Sequence, residues 1–301
     1  MQLTTEQKKA KGILLAIIAA SSFGFIPLFA RIAYAGGFNP FSFSLLRSIF
    51  TTIVIFIILK TKNRLLTVEK KQIPTLFKAS FFGYFLMMVT LFTSYNHMAT
   101  GLATTLHFIY PVATMAGAVI IFKEKTNLIQ AGALCISIFG IYLLVGVKTS
   151  GAFSITGFLL ALVSGLFYAY YILTVCHGNI KNISSLLQVF YISLFNSFTL
   201  LITSILTGTL SLDITFTGLL ATIMVALISS VIGMVAFQAA LKVISAATST
   251  ILSTFEVVTS LIIGVTLLGE SLSVYQMGGS ILIISSVIVI ALSEKQSRKP
   301  E

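Results

Sequence analysis

Long apolar stretches separated by short polar ones form the main pattern along this chain of 301 residues. Ten stretches reach roughly 20 residues, the length of an α-helix that crosses the hydrocarbon core of a bilayer. The pattern therefore predicts ten membrane-spanning helices, and short connections make neighbouring helices antiparallel. These predicted spans, numbered 1 to 10 in chain order, are Gly12–Ala35, Pro40–Leu59, Pro74–Tyr95, Thr100–Phe122, Leu128–Val147, Ile155–Val175, Leu186–Leu206, Phe216–Leu241, Thr248–Leu268 and Val274–Leu292.

The composition agrees with a membrane protein and excludes an ordinary soluble domain. Hydrophobic residues make up 57% of the chain and charged residues only 9%, whereas a soluble domain carries about 25% charged residues. Long apolar segments favour helices over the short alternating strands of a β-barrel. We therefore predict an all-α integral membrane protein surrounded by the lipid bilayer.

The basic residues lie almost entirely on one side of the predicted spans. If the N-terminus is cytoplasmic, 16 of the 19 Lys and Arg residues fall in inner segments, as the positive-inside rule requires. This distribution explains the net charge of +11 without a nucleic-acid partner. It predicts a multi-pass protein of the plasma membrane whose terminal tails, residues 1–11 and 293–301, are both cytoplasmic.

The chain also repeats itself at an offset of 146 residues. The identities at this offset are Thr104/Thr250, Leu106/Leu252, Val112/Val258, Val119/Val265, Glu124/Glu270, Gln130/Gln276 and Gly132/Gly278. The repeat divides the chain into residues 12–147 and 155–292, joined by an extracytoplasmic linker, residues 148–154. Each half holds five predicted spans, and because five is odd the halves enter the membrane in opposite senses. We therefore predict two inverted-topology five-helix repeats.

Each half carries an apolar span that ends in Glu and is followed by a Gln-x-Gly step. The residues are Phe122-Lys123-Glu124 with Gln130-Ala131-Gly132, and Leu268-Gly269-Glu270 with Gln276-Met277-Gly278. Phe23-Gly24 in span 1, Arg47 in span 2 and Phe237-Gln238-Ala239 in span 8 fit the same pattern. In these features the chain resembles the EamA-type members of the drug/metabolite transporter superfamily, over almost its whole length.

The resemblance implies a carrier of small metabolites, often an exporter of amino acids or related compounds, that works by alternating access. The family usually has Glu-Pro where this chain has Glu256-Val257, and Trp-Gly where it has Phe23-Gly24. Proline kinks a helix, so its absence predicts a ninth span that is straighter than in relatives. The fourth span keeps its proline, as Tyr110-Pro111.

Glu256 is the carboxylate that lies deep inside an apolar run, and it shares a helix face with Ser249, Ser253 and Ser260 at i, i+4, i+7 and i+11 spacing. An acid at the bilayer centre costs about 2.5–3.5 kcal/mol on insertion scales, so it normally faces a polar cavity or a partner. An ionised Glu256 would attract the ammonium group of a substrate. A neutral one would carry a proton during the transport cycle.

The 146-residue offset gives this polar stripe a counterpart on span 4, formed by Ala103, His107, Tyr110 and Thr114. Carriers built from inverted repeats bind substrate near the midplane, where the repeats meet, so we expect the stripes to face each other across a cavity. The alternative is that the hydroxyl residues pack helices together and that His107 bonds locally. Arg47 could bind a substrate carboxylate through its planar donor set, or it could serve packing between spans. The candidate substrate-binding residues are Glu256, His107, Tyr110, Ser253, Arg47, Gln238, Tyr84 and Tyr168.

Other polar residues receive simpler interpretations. Arg31 is expected to snorkel to the outer interface, and Asn96 to line a vestibule. Glu124 and Glu270 are expected to cap the following helix or to pair with neighbouring lysines. The chain has no catalytic, nucleotide-binding or metal-binding sequence motif, so we expect no enzyme, no cofactor and no metal centre.

The predicted function is secondary transport of a small organic metabolite, with an amino-acid-like substrate and export favoured. An alternative in the same class is a proton-coupled or cation-selective importer that uses Glu256. An alternative of another class is a membrane-embedded enzyme or scaffold. An enzyme requires converging titratable groups, and a scaffold requires no solvated central cavity.

Overall fold

The structure is a computed structural model that describes residues 4–63, 66–95, 97, 103, 106–145, 154–211, 214–268 and 274–296. Within these ranges the secondary structure is helical throughout. The α-helices are Thr5–Phe23, Ile26–Ala35, Pro40–Thr61, Ile73–Lys78, Leu86–Tyr95, Tyr110–Ile120, Leu128–Val145, Ile155–His177, Ser185–Leu206, Phe216–Val225, Val235–Ala240, Ala246–Ser253, Phe255–Leu268 and Val274–Gln296. A 3₁₀ turn, Lys70–Gln72, and two π-helical stretches, Ala79–Phe85 and Ala226–Met234, complete them.

These helices form ten apolar segments, which we number in chain order. Seven are long and apolar enough to cross a membrane: segments 1 (Glu6–Ala35), 2 (Pro40–Thr61), 3 (Lys70–Ser94), 6 (Ile155–His177), 7 (Ser185–Leu206), 8 (Phe216–Ala240) and 9 (Ala246–Leu267). Three are shorter: segments 4 (Tyr110–Ile120), 5 (Leu128–Leu143) and 10 (Met277–Ser293). An all-α membrane fold is therefore confirmed. Much of predicted span 4 before Leu106 lies outside the described residues.

The two halves of the chain interlock through matched contacts. Segment 1 packs against segments 8 and 9, and its counterpart, segment 6, packs against segments 3 and 4. Segment 2 packs along segment 7, and segment 5 along segment 10. Each of these contacts between halves maps onto another, or onto itself, when the halves are exchanged, as an internal symmetry of the bundle requires.

Segments 4 and 9 are interrupted at matched positions. The chain forms a turn at Phe108 and Ile109 before the helix that begins at Tyr110, and in segment 9 a turn at Thr254 separates two helices. Segment 9 is therefore not one straight helix, although it lacks the proline. The hydroxyls of Ser253 and Thr254 donate to backbone carbonyls three residues earlier, at 2.7 Å in both cases. Side-chain bonds of this kind bend a helix without proline.

Two π-helical stretches, Ala79–Phe85 in segment 3 and Ala226–Met234 in segment 8, also lie at corresponding places in the halves. Such wide turns are rare and frequently occur at functional sites. The first stretch contains Gly83, whose lack of a side chain lets segment 3 lie directly against the backbone of Tyr171 in segment 6. Both stretches supply residues to the site described below.

We expect Gly83→Ala to destabilise the protein. A Cβ atom at this position would lie 2.6 Å from the Tyr171 Cβ and 2.9 Å from its Cα, so two helices would have to separate. Overpacking of this kind costs about 1–3 kcal/mol, which thermal unfolding of the detergent-solubilised protein would register as a lower Tm. The matched control is Gly132→Ala, because a Cβ there meets nothing within 4 Å. Equal changes in Tm for the two variants would contradict this close helix contact.

Candidate functional site

The two predicted polar stripes meet at a hydrogen bond between segments 4 and 9. The hydroxyl groups of Tyr110 and Ser253 lie 2.7 Å apart, and both side chains are buried. Tyr110 begins a helix and Ser253 ends one, so each lies beside the interruption in its own segment. Glu256 follows in the first turn of the next helix and is half-buried. The helix interruptions thus place Tyr110, Ser253 and Glu256 in one region inside the bundle.

Four tyrosine rings form a continuous aromatic wall, which we call the tyrosine wall: Tyr84, Tyr110, Tyr168 and Tyr171. The ring centroids of Tyr110 and Tyr168 are 4.8 Å apart, those of Tyr168 and Tyr171 are 5.8 Å apart, and those of Tyr84 and Tyr171 are 5.9 Å apart. The wall therefore joins segments 3, 4 and 6. The electron-rich faces of such rings attract cations as well as apolar groups.

Arg47 lies at one end of the tyrosine wall. Its Nε donates to the Ser230 hydroxyl at 3.0 Å, and one of its terminal amino groups donates to the Tyr84 hydroxyl. Tyr84 belongs to the π-helical stretch of segment 3, and Ser230, which lies 146 residues later, belongs to that of segment 8. One guanidinium therefore bonds the same repeat position in both halves.

Glu256 lies within electrostatic range of Arg47 and of the Tyr110 and Tyr168 hydroxyls. In the part of the chain that the structure describes, however, Glu256 and Arg47 form no direct ion pair. The Glu256 carboxyl group and the Arg47 guanidinium therefore lie near each other inside the bundle without a direct ion pair. A ligand with an anionic and a cationic group has complementary chemistry for a guanidinium and a carboxylate at such positions.

Gln238 extends the site on the side of segment 8. Its Nε2 donates to the Tyr171 hydroxyl at 2.8 Å, while its Oε1 is buried and accepts no hydrogen bond from a described residue. Thr114 and Ser249 both belong to the predicted stripes. Their hydroxyls are also buried and form no hydrogen bond with a described residue. Buried polar atoms normally find a partner, so these atoms indicate places for water or a ligand.

His107 is buried beside the tyrosine wall and bonds to a neighbouring segment. Its Nδ1 lies 2.8 Å from the Ser164 hydroxyl in segment 6, and the ring is buried. Its centroid is 5.5 Å from that of Tyr110 and 5.8 Å from that of Tyr168. His107 therefore packs against two rings of the tyrosine wall and bonds across to segment 6.

The remaining predictions have different outcomes. Arg31 is exposed and lines a cavity of about 140 Å³, whose other residues are Gly24, Pro27, Leu28, Ser260, Ile263 and Gly264. Glu124 bonds to His177 at 2.8 Å, a partner that the sequence did not suggest. Asn96 and Glu270 lie outside the described residues.

Sequence reasoning missed Ser230, although the repeat contained a signal for it. Ser230 is the counterpart of Tyr84 at the 146-residue offset, and a search for polar pairs at that offset would have found it. The π-helical geometry that turns both residues toward Arg47 has no comparable sequence signature. Tyr171 was visible only as one of several tyrosines in span 6.

Comparisons with known proteins agree with this architecture. A solved crystal structure, described only as that of a protein, superposes with a TM-score of 0.82 at 14% identity over 94% of this chain and 96% of its own. This likeness establishes a shared fold. A search of curated proteins found no match. The family model described as the EamA-like transporter family matches residues 10–146 and again residues 155–292. The chain therefore belongs to the EamA-like transporter family and is a multi-pass membrane transporter of the drug/metabolite transporter superfamily.

Proposed function

We propose that this protein is a secondary transporter that exports a small amino-acid-like metabolite by alternating access. The observation that carries the proposal is that Arg47, at one end of the tyrosine wall, and Glu256 lie near each other without forming an ion pair. An amino acid carries a carboxylate for the guanidinium and an ammonium group for the Glu256 carboxylate. Its side chain would lie against the tyrosine wall, as apolar ligand groups do in most pockets.

The repeat supports the alternating-access part of the proposal. We propose that the ten segments are ten spans in two inverted five-helix repeats, with both termini in the cytoplasm and the protein in the plasma membrane. Matched contacts between the halves and the positive-inside distribution of charge favour this arrangement. Arg47 contacts matched positions of both halves, so a substrate held there stays near the symmetry centre while the halves exchange conformations.

The experiment is a transport screen with purified protein in proteoliposomes. Three matched compound sets are compared: amino acids, the amines without the carboxylate, and the carboxylic acids without the amine. We expect counterflow of amino acids to exceed that of either single-charge set by about tenfold or more, since losing one charge-assisted hydrogen bond costs about 1.5–3 kcal/mol. Equal counterflow for all three sets, or none for any, would reject this substrate class.

The alternative is a proton-coupled or cation-selective importer that uses Glu256. The tyrosine wall around the carboxylate favours it, because aromatic faces and an acid together bind organic cations. In the same screen this alternative predicts that amines exceed amino acids and that an inwardly directed proton gradient drives their uptake. An enzyme or scaffold predicts no counterflow of any set.

A further inference from the structure

Three side chains with metal-binding chemistry lie together away from the site described above. Glu124 belongs to the loop between segments 4 and 5, and Cys176 and His177 end segment 6. One donor atom from each residue lies within 4.8 Å of the other two. Carboxylate, thiolate and imidazole are the donor groups that Zn²⁺ takes from proteins. We propose that Glu124, Cys176 and His177 bind a divalent transition metal ion, for which Zn²⁺ is the best match.

The local backbone directs Glu124 toward segment 6. Lys123 has a φ of 56°, the left-handed conformation that glycine usually adopts at the end of a helix. The chain therefore reverses there, and the Glu124 N–H donates to the Ala118 carbonyl at 2.9 Å. A non-glycine residue held in this conformation is a recognised feature of functional sites.

The other two ligands are also held in place. The His177 ring stacks on Phe122 with centroids 4.0 Å apart, and its Nε2 lies 2.8 Å from a Glu124 oxygen. The Cys176 thiol lies 3.4 Å from the Leu241 carbonyl at the end of segment 8. Gly178 follows as the C-cap of the helix in an extended conformation. A side chain is not tolerated there, because a Cβ would lie 2.4 Å from the Thr174 carbonyl oxygen.

Two atoms of the cluster are buried without a hydrogen bond to any described residue: Glu124 Oε2 and His177 Nδ1. Burying a carboxylate oxygen without a hydrogen-bond partner from the protein is unfavourable. A metal ion bound by the carboxylate would compensate for this loss. The proposal therefore rests on the unmet bonding capacity of the cluster as well as on its residue types.

The charges balance when a divalent ion binds. The Cys176 thiol gives its proton to solvent and becomes a thiolate, Glu124 supplies a second negative charge, and neutral His177 completes the set. The resulting complex is neutral, which suits a half-buried site at the end of an apolar segment. Three protein ligands leave the fourth tetrahedral position for water.

The ligand set has no symmetry-related copy in the sequence. At the 146-residue offset, the counterparts of Cys176 and His177 are Ala30 and Arg31, neither of which fits this role. Because Glu124 comes from the first half and the other ligands from the second, the metal would connect the two halves at one end of the bundle. Sequence spacing gave no sign of the site, since Glu124 and Cys176 approach each other only in the fold.

The test is Co²⁺ titration of the full-length, chelator-treated protein in detergent. Co²⁺ replaces Zn²⁺ in such sites, and a thiolate ligand gives a cobalt charge-transfer absorption band. We expect one Co²⁺ per chain, displaced by Zn²⁺, with the band lost in Cys176→Ser and Co²⁺ affinity reduced at least tenfold in His177→Asn and Glu124→Gln. The matched control is Cys135→Ser, because Cys135 is exposed in segment 5 and outside the cluster. No band in the wild-type protein, or a band that survives in Cys176→Ser, would overturn the proposal.

A second measurement needs no variant and no transport activity. Zn²⁺ is expected to slow alkylation of Cys176 by a membrane-permeant maleimide at least tenfold, with Cys135 in the same molecule as the internal reference. Peptide mass spectrometry reads both sites at once. Unchanged alkylation of Cys176 would show that Glu124 and His177 form an ion pair and no metal site. The proposed transport function is unaffected by either result.

Discussion

Replacing Glu256 with Gln is expected to reduce amino acid counterflow by about 30-fold or more. The substitution keeps the size of the side chain but removes the negative charge that would receive a substrate ammonium group. Removing one member of a buried charge pair costs about 2–5 kcal/mol, and each 1.4 kcal/mol is a tenfold change in affinity. Arg47 would also lose the carboxylate with which it interacts electrostatically.

The control for this experiment is Glu69→Gln, which removes an exposed carboxylate that pairs with Lys71 outside the bundle. Its counterflow should remain within about twofold of wild type, since exposed ion pairs contribute about 0–1 kcal/mol. Both proteins should have similar Tm values. Unaltered counterflow and unaltered pH dependence in Glu256→Gln would remove Glu256 from the mechanism.

The repeat made part of the site predictable. The offset of 146 residues paired Glu256 with Tyr110 and Ser253 with His107, and the structure joins Tyr110 to Ser253 directly. Helical periodicity selected these residues as polar positions, but the interruptions of segments 4 and 9 that bring them together were not part of that pattern. It could not show that His107 bonds to Ser164, since that contact depends on how segment 6 packs.

The interruption of segment 9 shows where sequence rules were insufficient. The missing proline suggested a straight helix, but Ser253 and Thr254 bond back to carbonyl groups and form a turn there. The hydroxyl of a serine or threonine in a helix can form its hydrogen bond with solvent, with a neighbouring helix or with the backbone of its own helix. Which of these partners the hydroxyl takes depends on its burial, and burial is set only when the bundle assembles. The same holds for the π-helical stretches that carry Tyr84 and Ser230.

Arg47 is expected to make the transporter prefer substrates that carry a carboxylate. In Arg47→Gln, amino acid counterflow should fall by about 10- to 100-fold, whereas counterflow of the matched amine should change little. The reason is that only substrates with a carboxylate can accept hydrogen bonds from the guanidinium, so only their binding is weakened in the variant. Hydrogen bonds to a charged group contribute about 1.5–3 kcal/mol each. Arg47→Lys should give an intermediate result, because lysine keeps the charge but loses the planar, bidentate donor set.

This comparison also separates substrate binding from a structural role of Arg47. Its bonds to Ser230 and Tyr84 hold segments 2, 3 and 8 together, so a purely structural arginine would lower Tm and reduce transport of amines and amino acids equally. The matched control is Arg31→Gln, which removes the same charge from the cavity lined by Gly24 and Ser260 and should leave the ratio of amino acid to amine transport unchanged. A ratio that stays at the wild-type value in Arg47→Gln would assign Arg47 to packing and leave the substrate carboxylate without a binding partner in this site.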